Sequence, residues 1–257
     1  VSPAAVSPLA PVIGALSSMT GRHPVHGLVK GLYVDDRAGW IPATEIVYGE
    51  GLDDMLAAAG RRWDAAPHVA AALAWKCYSY WVSLPAVLGY ATARRVPLLD
   101  ASQVLVRYSD RAPFLCAGLT EPELAVLPGD PLIALDHPGI RVVPDDAALL
   151  AALRSSLISS HLGPLVERVH ERSRLGRRTL WGSLASGVAH GVSRAADVLP
   201  GSTLDTANAL LDSLDLTGLV DLTPEHCGRL QVRRHTCCLA FALPEARICS
   251  GCVISSP

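Results

Sequence analysis

The sequence predicts a helix-rich α+β fold with a modest, mainly antiparallel sheet, ending in a loop that carries four cysteines. Three observations predict it. Of the 257 residues 50% are apolar, mostly Ala, Leu and Val, and only 5% are aromatic, a composition suited to closely packed helices. Segments with apolar residues at helical spacing flank a middle stretch, 97–144, whose short apolar runs are separated by PGDP and HPG turns. Four of the seven cysteines crowd into the tail, at Cys237, Cys238, Cys249 and Cys252. Residues 1–144 form the sheet-bearing part and 145–257 a helical part with the cysteine tail, as two regions or one continuous domain.

Along the chain, residues 1–27 carry Pro3, Pro8, Pro11 and Pro24 with no sustained period and read as irregular. Short β-like runs follow at 31–34 and 44–48. EGLDDMLAAAGRRW has the texture of a short helix, with Gly60 as its stop. Residues 69–93, VAAALAWKCYSYWVSLPAVLGYATA, are long and apolar enough to cross a bilayer. Lys76 and Pro85 interrupt them and alanine dominates, which predicts a buried core helix bent near Pro85. In the middle stretch, SQVLVRYSD alternates at Val104, Val106 and Tyr108, the period of a half-buried strand. APFLCAG, PLIAL and GIRVVP read as further strands.

Helix resumes at PDDAALLAALRSSLISSHL, capped by Asp145 or Asp146, and Gly163-Pro164 interrupts it before PLVERVHERSR. RRTLWGSLASGVAHGVSRAADVL presents Gly182, Ala185, Ser186 and Ala189 as a small-residue face for close packing. STLDTANALLDSLDLTGLV is a last helix, capped by Ser202 or Thr203.

A formal net charge of −2 supplies no global field for nucleic acid, which is not an expected partner, and membrane contact is at most peripheral. The opening residues have no basic n-region, so a secretory peptide is not expected. The expected compartment is the cytoplasm, where thiols stay reduced. Seven cysteines, an odd number, argue against a complete disulfide framework. Neither a strand-borne G-x-G-x-x-G nor a P-loop indicates a bound nucleotide, and no G-x-S-x-G or H-E-x-x-H indicates a hydrolase.

Metal binding is therefore the leading use of the tail, whose pattern is CC-x10-CxxC. In CSGC two small residues separate the sulfurs, so both can reach one metal centre. The adjacent pair Cys237-Cys238 needs a local bend, because neighbouring side chains of an extended strand diverge. Pro244 can turn the spacer LAFALPEARI and return the CxxC to the pair. Three readings remain open on spacing alone. Zinc with four thiolates usually draws on two CxxC-like knuckles. A [2Fe–2S] cluster spreads four thiolates over two irons and accepts a less regular arrangement. The third reading is a metal-free tail.

This CC-x10-CxxC resembles the signature of the FhuF-type ferric-siderophore reductases, with Cys237, Cys238, Cys249 and Cys252 matching its four positions one for one. HLGPLVERVHERSRLGRRTLWGSLAS, 161–186, looks like the helical segment of that family, with its H-x-x-P and L-W-G elements. Ser183 departs from the Asn that often follows the Trp-Gly pair. The resemblance covers roughly the last hundred residues. It implies a [2Fe–2S] cluster on the four cysteines, making the tail an iron–sulfur cluster loop, and an oxidoreductase that passes one electron to siderophore-bound Fe(III). The chain shows no electron source of its own, so an external donor such as a ferredoxin or flavin reductase is expected.

The rivals are a zinc-stabilised binding module, and an electron-transfer or iron-sensing protein that does not touch siderophore. Candidate docking or supporting residues are Arg233, Arg234 and His235 beside the cysteines, with His161, Arg177 and Arg178 upstream. The upstream arginines also read as an ordinary solvated face balanced by Glu167 and Glu171. Lone helical histidines are more often core or surface residues than ligands. Trp181 reads as core packing, and Cys77, Cys116 and Cys227 as structural.

Overall fold

A computed structural model describes residues 9–20, 26–121, 123–249 and 251–254. Its elements run α1 (Ala10–Thr20), β1 (Leu28–Tyr33), β2 (Ile41–Pro42), α2 (Ala43–Val47), α3 (Gly51–Trp63), α4 (Pro67–Ala93), β3 (Arg95–Pro97), β4 (Val104–Tyr108), β5 (Leu115–Leu119), β6 (Leu124–Val126) and β7 (Ile140–Val142). They continue with α5 (Asp146–Arg154), a π-helical stretch (Ser155–Leu162), α6 (Gly163–Ser173), α7 (Arg177–Arg194), α8 (Thr203–Ser213), β8 (Val220–Pro224) and β9 (Leu230–Arg234). This is the helix-rich α+β architecture that the sequence predicts.

The long apolar run becomes α4, the buried helix at the centre. Pro67 sits in its first turn, where a missing N–H breaks nothing, and Pro85 lies inside the unbroken helix. Trp75, Tyr78 and Tyr90 are fully buried, each contributing about 1.5–3 kcal/mol by removal from water. The Trp75 Nε1–H donates to the Leu180 carbonyl at 2.8 Å, which ties α4 to α7. Gly182, Ala185, Ser186 and Ala189 are buried on α7, so the small-residue face does pack. One apolar core runs from Leu9 to Val232 and crosses the 144/145 boundary.

Two sheets and a hairpin surround these helices. The larger sheet has the order β1-β5-β4-β2, the smaller β3-β6-β7, and β8 pairs with β9. Pairing is antiparallel in β2–β4, β3–β6, β4–β5 and β8–β9, and parallel in β1–β5 and β6–β7.

Several local expectations fail for identifiable reasons. Residues 10–20 are helical, Pro11 falling in the first turn, where proline is tolerated; Pro3, Pro8 and Pro24 lie outside the described residues. Residues 44–48 belong to α2 and its C-cap, not to a strand. PLIAL is a 3-10 turn, because the Asp130 carboxylate caps it by accepting from the Leu132 N–H at 2.8 Å. Gly60 lies inside α3, which stops at a left-handed Asp64. Asp145 and Ser202 do cap α5 and α8.

Gly163-Pro164 does not interrupt the helix. The wider π turn passes the Gly163 N–H to the Ile158 carbonyl. Close to Pro164, the Ser160 carbonyl accepts from the Tyr48 hydroxyl at 3.4 Å. The continuous helix Asp146–Ser173 is long and apolar enough to cross a membrane, with 50% of its most apolar window buried inside the fold.

Candidate metal centre

The alternation of β9 decides which side chains face the tail. Leu230, Val232 and Arg234 point inward while Gln231 and Arg233 are exposed. The chain then leaves the strand through Thr236 into Cys237 and Cys238, and Leu239 adopts a left-handed conformation (φ 61°) that supplies the required bend. The Cys237 Sγ accepts from the Leu239 N–H at 3.3 Å. A short 3-10 turn, Ala240–Ala242, follows, and the Arg247 N–H returns to the Ala240 carbonyl at 3.1 Å.

The CxxC is carried back to the cysteine pair. The Arg234 N–H donates to the Gly251 carbonyl at 3.1 Å, and the Cys252 N–H to the Cys249 carbonyl at 3.1 Å. A Cβ on residue 251 would lie 2.0 Å from the Val232 carbonyl oxygen, so the backbones approach closely enough to admit glycine alone. Cys238 and Ala240 seat against Val69 and Leu73 of α4 in a small apolar cluster, with Trp63, Leu243 and Cys249 packed around it.

Cys238 and Cys252 are buried, Cys237 and Cys249 half-buried, and no disulfide forms among the described cysteines. Burial pushes the Cys249 thiol up, and Cys238 and Cys252 push it the same way, while Lys76 and Arg234 pull it down. The Cys249 sulfur thus lies within reach of the charges of Cys238 and Cys252. No group of three or more His, Cys, Asp or Glu side chains among the described residues is gathered as a ready metal-ligand set. Metal binding to these thiols would displace their protons. The donor set, soft and all-sulfur, fits zinc or an iron–sulfur group.

Positive charge gathers here without acid partners. Arg234 is only 3% exposed; one Nη donates to the Ser183 Oγ at 2.8 Å, and its Nε has no partner. No carboxylate pairs with it among the described residues. Burial, reinforced by Arg194, Lys76 and Arg234, depresses His190 to about 4, so the imidazole is neutral near pH 7. Ser183 therefore holds the buried cation. Lys76, which looked like an interruption of an apolar helix, is a second cation beside Cys249; a lone lysine in that run was the available signal.

The other candidates separate. His235 Nδ1 faces the Gly218 carbonyl at 2.9 Å and its Nε2 pairs with Asp221 at 2.8 Å; the hydrogen bond to Asp221 first, then that to Gly218, raise its pKa. His161 is fully buried. Its Nδ1–H donates to the Leu99 carbonyl and its Nε2 accepts from the Tyr78 hydroxyl, both at 2.7 Å, so neither nitrogen is left for a ligand. Arg177 is held by Glu167, with Nε 2.7 Å from Oε2, and Arg172 by Asp53 at 3.1 Å. Arg233 stands exposed opposite Asp221. Arg178 has no carboxylate partner among the described residues and acts on His235 through its charge. Cys77 on α4 and Cys116 on β5 are half-buried, and Cys227 is exposed in the β8–β9 turn.

No family model matches this chain, and no curated protein matches it.

Proposed function

We propose that the protein is a cytoplasmic ferric-siderophore reductase whose Cys237, Cys238, Cys249 and Cys252 hold a [2Fe–2S] group. When bound, that group supplies electrons singly, which matches the one-electron step from Fe(III) to Fe(II). The electron lost to the chelated iron is replaced by an external donor of ferredoxin or reduced-flavin class. Siderophore oxygens grip Fe(III) far more tightly than Fe(II), so one electron releases the metal and no acid–base chemistry on carbon is required.

The observation that carries this reading is Arg234, a buried cation with no acid partner among the described residues, beside the cysteine tail. Four thiolates on a [2Fe–2S] group leave a net negative charge, and that charge is the partner the arginine lacks. A four-thiolate zinc site is also anionic, so the metal must be identified directly. Anaerobically purified protein should be brown, hold about two irons per chain and give a spin-one-half EPR signal after dithionite. Colourless protein containing zinc and no iron would overturn the proposal and leave the tail as a structural clip.

A further inference from the structure

An open cavity of about 490 Å³ lies between the start of α7, the π-helical stretch and the segment that leads into β8. That volume falls in the ordinary range for small-molecule sites. Trp181, Ile158 and Leu219 give it apolar walls. Arg154 and Asp215, also on its lining, pair with each other, and Arg154 donates further to the Ser213 carbonyl at 3.0 Å. Arg178 is left as the cation in the lining with no carboxylate of its own among the described residues.

The cavity is joined to the cysteine pair by short backbone links. The Leu219 carbonyl on its wall accepts from the His235 N–H at 3.1 Å, two residues before Cys237. Trp181 is followed by Gly182, where a Cβ would lie 2.1 Å from the Thr236 Oγ1, and then by Ser183, which holds Arg234. A ligand in the cavity therefore rests on the same stretch of α7 that supports the approach to the four cysteines.

We propose that this cavity docks the ferric chelate, and that it selects anionic chelates bearing aryl groups, the catecholate and phenolate class, over neutral trihydroxamates. This rests on the reductase reading of the cysteine tail. The charge argument is simple. Each catecholate brings two negative charges and each hydroxamate one, so three of the first outweigh Fe(III) and three of the second only cancel it. An unpaired arginine favours the charged complex, and the indole of Trp181 offers a flat apolar face to an aryl ring.

Gallium(III) chelates test this, because gallium takes the same oxygen donors and is not reduced, so affinity is read apart from electron transfer. Titration calorimetry of the purified protein should show binding of a gallium tris-catecholate and at least about ten-fold weaker binding of a gallium trihydroxamate. Arg178→Glu, an exposed change, and Trp181→Ala should each weaken the catecholate about ten-fold or more. Wild-type affinity in Arg178→Glu, or equal affinity for the two chelates, would overturn the inference even if Trp181→Ala does not fold. EPR on the same samples keeps the two readings apart. A chain that lacks iron and still binds the catecholate through Arg178 removes the reductase alone. A chain that carries the cluster and ignores Arg178 removes this cavity alone.

Discussion

A buried arginine without an acid partner is costly unless something anionic sits beside it. Arg234 is such a residue, with Ser183 as its side-chain acceptor among the described residues. In metal-free protein, Arg234→Met should leave stability unchanged or raise it by about 1 kcal/mol, as urea unfolding would report. In iron-loaded protein the same change should lower the midpoint potential, since a nearby cation favours the more negative reduced state; an EPR redox titration reads this. A potential unmoved in Arg234→Met would remove the residue from the electrostatics of the site. His161 makes a different prediction. Burial depresses its pKa from 6.5 to about 4, against smaller opposing effects of the Leu99 carbonyl and Asp100. The unfolded chain thus takes up a proton near pH 6.5 that the folded chain refuses until about 4, and stability must fall as pH drops through that window. His190, depressed to a similar value, adds to the slope. Urea unfolding from about pH 7 to about pH 4.5 should show this decline, and His161→Gln should shallow it while costing about 1–3 kcal/mol at neutral pH. An unchanged slope in that variant would show that His161 is not the titrating group.

Among the elements, the cysteine tail joins its apolar seat on α4 to one very close backbone approach at β9. Gly251 lets the tail backbone lie against β9, and any side chain there meets the Val232 carbonyl. Gly251→Ala should therefore expel the CxxC from β9 and lose most of the bound iron. Far-UV circular dichroism should stay near wild type, because the buried core runs from Leu9 to Val232 and the tail adds half-buried Leu239 at its edge. Retained iron would mean that the approach of Gly251 to β9 does not position the sulfurs. The sequence showed the cysteines, the turn at Pro244 and the small face of α7, since each is written in residue type and spacing. It did not show the β8–β9 hairpin or the three-residue strands β3 and β6, which are too short to display a period, although GIRVVP did mark β7. Nor did it show that Gly163-Pro164 would pass through a helix. The Tyr48 hydroxyl reaches the Ser160 carbonyl there from 112 residues away, a tertiary contact that no local pattern carries. The same holds at the site, where Arg233 and Arg234 look alike in sequence and only strand register sends one outward and the other in.

At the scale of the whole molecule, two apolar clusters of very different size set the order in which structure should be lost. The large one spans both halves of the chain and is sealed by α4 against α7. The small one holds the tail to α4 through Val69, Leu73, Cys238 and Ala240, and exposed Phe241, Ile248 and Ile254 show how little of the tail is covered. Regions with few buried apolar contacts open at lower free energy than the global transition. A bound metal would offset much of that weakness, because ligand binding to the folded tail stabilises it in proportion to affinity. Cluster-loaded protein heated anaerobically should therefore bleach in the visible before its helical signal melts. Adding an iron chelator should move the bleaching to lower temperature and leave the helical transition within a few degrees of its original place. Coincident loss of colour and helix under both conditions would mean that the tail is part of the main cooperative unit, and that α4 depends on the cysteines it carries rather than merely supporting them.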